Sequence, residues 1–219
     1  MTTRVLVVAK APVPGHAKTR LGAEIGMARA AEVAAAALLD TLHTCVRTVG
    51  VEHCRIAWSG DLQAAAMSDR IGEALQGWRV LAQRGEGLGE RLANAHLDLA
   101  DEGPGAVVQI GMDTPQLRDD QLLAVARRVG EGADAVLADA VDGGWWALAL
   151  ADPRHGSLLR GVAMSTPGTG RETRRALQDA GLGVAGGPVL RDVDTAADAD
   201  AVADDCGSDS QFARAWRSR

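Results

Sequence analysis

A chain of 219 residues is long enough for one full α/β domain. Hydrophobic residues make up 47% and charged residues 24%, the balance of a packed globular protein, which excludes disorder, collagen and coiled coil as global descriptions. A formal charge of −6 argues against a nucleic-acid partner, which needs a basic face. A local basic cluster can still hold a small phosphate ligand.

Cys45, Cys54 and Cys206 form no CxxC pair and no zinc spacing, so they read as thiols of a reducing cytoplasm. Residues 1–8 lack the pattern of a signal peptide, and no apolar run approaches the ~18 residues of a membrane span. The expectation is a cytoplasmic protein with no membrane partner, a monomer or homodimer.

In chain order, Arg4 to Ala9 is an apolar β-branched run suited to a central strand buried on both faces. The loop Lys10 to Arg20 follows, with two prolines and a glycine. A helical stretch from Gly22 to Val49 is interrupted near Gly26. Next come a strand at Arg55–Trp58, a helix at Asp61–Leu75 and a strand at Trp78–Ala82. Gly85 to Glu90 leads into a helix to Leu99, and Ala106–Ile110 is a buried strand. Asp119–Val129 is an amphipathic helix. Ala133–Ala140 and Trp145–Leu150 are strands flanking Val141-Asp-Gly-Gly144, a hairpin signal. A helix at Thr169–Ala180, a strand at Val189–Val193 and a helix from Ala196 complete the count. This alternation means βαβ units: a single three-layer α/β/α domain over residues 1–207, with a mostly parallel, Rossmann-like sheet and a small antiparallel flap. Residues 208–219 read as a weakly structured tail.

Ligands of an open parallel sheet bind beyond the carboxyl ends of its strands, and three polar segments fall there. In the first, Gly15 gives close backbone approach and Lys10, Lys18, Thr19 and Arg20 supply donors before a helix, equipment for a polyphosphate. Of 23 basic residues only Lys10 and Lys18 are lysine, and an ammonium is not interchangeable with a guanidinium at a phosphate. The segment is not a Walker A loop, because Ala17 precedes Lys18. In the second, Ile110-Gly-Met-Asp-Thr-Pro115, a strand delivers Asp113 as a ligand for Mg²⁺; the plainer role is capping a turn. In the third, Asp192 and Asp194 share a face if extended and complete the metal shell, unless Asp194 or Thr195 only caps the next helix. Gly87 and Gly89 offer flat backbone to a base. Asp142, Gly143, Gly144 and Trp145, with Ser165 and Thr166, are candidates for binding an acceptor. The histidines form no ligand pair, and His96 reads as structural.

Together these residues resemble the nucleotide-diphospho-sugar transferase superfamily of GT-A fold, and within it a small bacterial family of uncharacterised, glycosyltransferase-like proteins (DUF2064-like). The matching motifs are Lys10 to Leu21, Gly111 to Pro115, Asp142 to Trp146, Ser165 to Pro167 and Asp192 to Thr195. The family is similar to the molybdenum-cofactor and phospholactate guanylyltransferases. The resemblance implies a transferase whose first loop holds a nucleotide and whose strand-end Asp holds Mg²⁺ or Mn²⁺. Three readings follow. The first is nucleotidyl transfer from an NTP to a phosphorylated or hydroxylated small molecule, with Lys18, Arg20 and Asp113 catalytic. The second is glycosyl transfer from a nucleotide-sugar, with Asp142 or Glu90 activating the acceptor. The third is a non-catalytic nucleotide sensor.

Overall fold

The computed structural model describes residues 3–218. Seven strands form one sheet: β1 (Arg4–Lys10), β2 (Cys54–Ser59), β3 (Arg79–Ala82), β4 (Val107–Ile110), β5 (Ala135–Asp139), β6 (Trp145–Leu150) and β7 (Val184–Gly186). Eight helices surround it: α1 (Thr19–Ile25), α2 (Met27–Val49), α3 (Ser68–Ala74), α4 (Gly87–Asp101), α5 (Asp119–Gly130), α6 (Thr169–Asp179), α7 (Ala196–Asp205) and α8 (Gln211–Arg217). A stretch of 3-10 helix, Pro153–Gly161, lies against α4.

The strand order is β3-β2-β1-β4-β6-β5-β7, and every pairing is parallel except those of β6 with β4 and β5. The β1 strand leads outward to one side of the sheet and β4 faces the other, so the crevice beyond β1 and β4 is the switch point where such sheets bind ligands. The antiparallel pair expected as a flap is β5–β6, and β6 lies inside the sheet. Its sequence Trp-Trp-Ala-Leu-Ala-Leu has no polar face to offer water, and Trp146 to Leu150 are all buried. The β5–β6 turn, residues 140–144, therefore opens at the crevice. No helix among the described residues is long and apolar enough to cross a membrane.

Four features differ from the sequence reading. The helix expected from Asp61 begins only at Ser68, because the Asp61 side chain accepts the Gln63 N–H in a local turn. The strand expected at Val189–Val193 shrinks to one bridge between Leu190 and Ala140, since the Val193 N–H bonds the Asp113 carbonyl at 3.0 Å instead of a neighbouring strand. The edge strand β7 went unread, its three residues too short to show a period. The tail expected to be weakly structured holds α8, whose Phe212 is fully buried in a cluster with Leu21, Val33 and Val202. The Asp40 carboxylate on α2 accepts from the Gln211 and Phe212 amides and the Ser210 hydroxyl, fixing the start of that helix.

His96, on α4, is fully buried. Burial holds its imidazole neutral, its pKa pushed down to about 4 against a smaller upward pull from Gln109. The unfolded chain takes up this proton below about pH 6.5, while the folded chain resists until about 4. Stability from this site is therefore intact above pH 6.5 and lost as the pH falls toward 4, on the order of 3 kcal/mol in all. Asp192 works in the opposite direction over part of that range, so the comparison is with a variant. Urea unfolding of wild type and His96→Leu should show the wild type losing more stability between pH 6.5 and 4.

Candidate active site

The loop after β1 turns back over the crevice. Gly15 takes a left-handed φ of 76°, which is its contribution, since it lines neither cleft described below. Lys18 is itself left-handed, at φ 49° and ψ 47°, an uncommon conformation for a residue with a side chain. From there its ammonium reaches the Asp113 Oδ2 at 2.6 Å and the Asp194 Oδ1 at 2.7 Å. The Arg20 guanidinium donates to the other Asp194 oxygen at 2.6 Å. Burial alone would depress the Lys18 pKa, but Asp113 and then Asp194 outweigh it, and the pKa is raised. The ammonium stays charged at any working pH.

Two segments meet to bring the acids together. The backbone bond from Val193 to Asp113 ties the loop after β4 to residues 191–194, and the Gln116 side chain adds a second tie to the Arg191 carbonyl. One oxygen from each of Asp113, Asp192 and Asp194 then lies within 4.8 Å of the others. Asp192 is pushed up to about 6 by burial first, then by Asp113, Asp142 and Asp194. These are hard oxygen donors sharing excess negative charge, the donor set that suits Mg²⁺ or Mn²⁺. Gly111 has a steric reason: a Cβ there would lie 2.7 Å from the Asp113 Oδ1. A side chain at this position displaces the carboxylate.

Two clefts adjoin along this edge, and both are lined by Arg20, Met112, Asp113 and Asp194. The smaller, about 270 Å³, is cationic, with Lys10, His16, Lys18 and Thr19. The larger, about 470 Å³, runs from Asp192 past Asp142, Gly144 and Trp145 to Ser165 and Thr166. The expected acceptor residues other than Gly143 line it, because the β5–β6 turn packs on the start of α6: the Gly170 N–H donates to the Gly143 carbonyl at 2.9 Å. Gly143 has φ 89°, and a Cβ on it would stand 2.2 Å from the Pro167 carbonyl oxygen. Gly143→Ala should therefore push the turn off α6, costing ~2 kcal/mol in urea unfolding and weakening any ligand of the larger cleft.

Both tryptophans line the larger cleft: Trp145 donates its indole N–H to Thr173, and Trp146, nearly fully buried, donates to the Pro188 carbonyl. Gly87 and Gly89 do not line either cleft; Leu88 between them does. Gly89 instead lets α4 approach the Leu159 carbonyl, 2.6 Å from where its Cβ would be. Glu90 accepts from the Glu86 N–H at the start of α4 and lies outside both clefts. Sequence reasoning missed Gln109 and Met112, both on the larger cleft. For Gln109 a signal existed, a lone amide inside the apolar run Val107-Val-Gln-Ile110.

The fold is the one shared by nucleotide-diphospho-sugar transferases and nucleotidyltransferases. A candidate nucleotide-diphospho-sugar transferase of Desulfovibrio desulfuricans G20 is 26% identical, with a TM-score of 0.83 over 97% of this chain and 93% of that one. CMP:2-keto-3-deoxy-manno-octonic acid synthetase in complex with CTP shares the fold at 11% identity and TM-score 0.57, over 92% and 97% of the two chains. Glucosyl-3-phosphoglycerate synthase of Mycobacterium tuberculosis, in complex with Mn²⁺, UDP and glucosyl-3-phosphoglycerate, does so at 16% and 0.52, over 87% and 70%. The chain belongs to the bacterial family described as "Uncharacterized protein conserved in bacteria (DUF2064)", whose pattern matches residues 41–166. No curated protein matches it in sequence.

Proposed function

We propose that the protein is a nucleotide-dependent transferase, and that its reaction is nucleotidyl transfer from an NTP to a small acceptor with release of pyrophosphate. The observation that carries the reading is the Lys18 ammonium set between Asp113 and Asp194, where a cationic cleft meets three carboxylates. The cationic cleft suits the β- and γ-phosphates, and the acceptor enters from the larger one. The acceptor oxygen attacks the α-phosphorus in line, and the bond from that phosphorus to the β-phosphate oxygen breaks. Lys18 and Arg20 neutralise the departing pyrophosphate, with little covalent work asked of the protein. Asp113, Asp192 and Asp194 would hold Mg²⁺ or Mn²⁺, which supplies charge neutralisation to the phosphates.

Glycosyl transfer from a nucleotide-sugar is the second reading. It is favoured by the Asp142 carboxylate, which lines the larger cleft and is exposed there, ready to take an acceptor proton. Against it stands Gly111, where a second acid would collide with Asp113. Incubation with NTPs and with nucleotide-sugars in the presence of Mg²⁺ decides between them. Pyrophosphate supports the first and nucleoside diphosphate the second. Tight nucleotide binding with neither product contradicts both and leaves a nucleotide sensor.

A further inference from the structure

Gln109 stands at the middle of the sheet on β4, only 2% exposed, and it lines the larger cleft. Its Oε1 lies 2.8 Å from the His96 Nε2. The other ring nitrogen of His96, Nδ1, is buried with no partner among the described residues. A neutral imidazole has one N–H to place and one lone pair. Burial and the downward pKa shift of His96 keep it neutral. If Nδ1 carried the proton, a buried N–H would go unsatisfied, which native structures rarely tolerate, whereas an idle lone pair costs less. The N–H therefore sits on Nε2 and donates to Gln109, fixing the amide with its oxygen toward His96. Among the described residues the Gln109 Nε2 then has no acceptor for its N–H bonds, and the residue lines the larger cleft.

The surroundings narrow the ligand. Val8, Leu88, Leu92, Trp145 and Met164 form apolar walls of the same cleft. Arg20 is the one cation lining it among the described residues, and its guanidinium is engaged by Asp194 at the carboxylate edge. A charged phosphate or carboxylate far from that edge would meet apolar walls and nearby acids with nothing to neutralise it. We infer that Gln109 is a specificity residue whose amide, oriented by His96, donates to an uncharged oxygen (hydroxyl, ether or carbonyl) of the acceptor in the larger cleft. His96 is a positioning residue: it touches no ligand and acts through Gln109. The inference rests on the transferase reading for taking this cleft as the acceptor's. Within that reading it narrows the acceptor from a phosphorylated or hydroxylated molecule to one uncharged at this end, with an apolar face to set against Trp145.

The test uses the ¹⁵N-labelled full-length chain near neutral pH with Mg²⁺ present. Long-range ¹⁵N–¹H correlation should show His96 protonated on Nε2; a proton on Nδ1 would turn the amide around and overturn the inference without any variant. Methyl β-glucoside and glucose 1-phosphate then serve as a matched pair of probes. The Gln109 side-chain amide peaks, assigned by their loss in Gln109→Met, should move with the neutral sugar and less with the phosphate ester. Gln109→Met should weaken the neutral sugar about tenfold. Amide peaks unmoved by the neutral sugar, a larger response to the phosphate ester, or unchanged affinity in the variant each reject the assignment. None of these readouts needs turnover. A chain that transfers nothing yet shows the amide response loses the transferase reading, and with it the acceptor's part, but keeps the Gln109 contact to an uncharged oxygen; active enzyme with silent amides does the reverse.

Discussion

Lys18→Ala lowers kcat/KM for the nucleotide substrate by about 10²-fold, equivalent to on the order of 3 kcal/mol in the barrier. Two effects combine. On the proposed nucleotidyl-transfer reading the departing pyrophosphate would lose a compact cation, and Arg20, which is largely exposed, cannot replace it from its place on the outer Asp194 oxygen. The variant also changes the resting protein. Lys18 is the ammonium that links Asp113 to Asp194; without it Asp113, Asp192 and Asp194 face one another with only Arg20 on the outer edge. Carboxylates so arranged gain more from a divalent ion than carboxylates already paired. Mn²⁺ should therefore raise the melting temperature of Lys18→Ala by more than that of wild type, while turnover falls. Unchanged turnover with every NTP would remove Lys18 from the chemistry.

Phe212→Ala destabilises the protein by about 3–5 kcal/mol in urea unfolding, the range for deleting a fully buried aromatic ring. Phe212 is the largest fully buried side chain among the described residues, and it packs with Val33 of α2, Leu21 of α1 and Val202 of α7. The consequence reaches the site through α1, which begins directly after Lys18. A shelf of small residues, Ala30, Ala36, Ala37, Ala199 and Ala203, lets these helices come close, so the cavity left by the ring has few long side chains to fill it. A loss below about 1 kcal/mol would mean that α8 is not part of the folded core.

The tail shows where one sequence is hard to read. Ser208 to Arg219 is short and polar except for Phe212, Ala213, Ala215 and Trp216, and nothing local says what would cover one phenylalanine. Its order comes from Asp40, 172 residues earlier in the chain, which accepts from the Phe212 amide. The same holds for Val189–Val193, which reads as a strand although a distant partner, the Asp113 carbonyl, takes the Val193 N–H. By contrast β1, β4 and β6 were legible because strands buried on both faces are mostly apolar. Gly26 was legible as a helix break, and it stands at φ 90° between α1 and α2.

The site divides in the same manner. Lys18, Arg20, Asp113, Asp192 and Asp194 stood out because strand ends carry polar groups that the core cannot use, and the structure sets them along one edge. The glycines of α4 were over-read: Gly89 serves helix packing. Gln109 was under-read, since its meaning depends on His96 across the sheet surface, a pairing that no local spacing announces.

The central claim is that the three aspartates hold a divalent ion beside Lys18. Calorimetric titration of Mn²⁺ into the wild-type chain and into Asp113→Asn tests it most directly, with the CD spectrum confirming that both are folded. The expected result is one ion per wild-type chain and binding at least about tenfold weaker in Asp113→Asn, because a lost charged ligand is not replaced by an amide. A wild-type chain that takes up no Mn²⁺, or an Asp113→Asn chain that binds it equally well, would contradict the account.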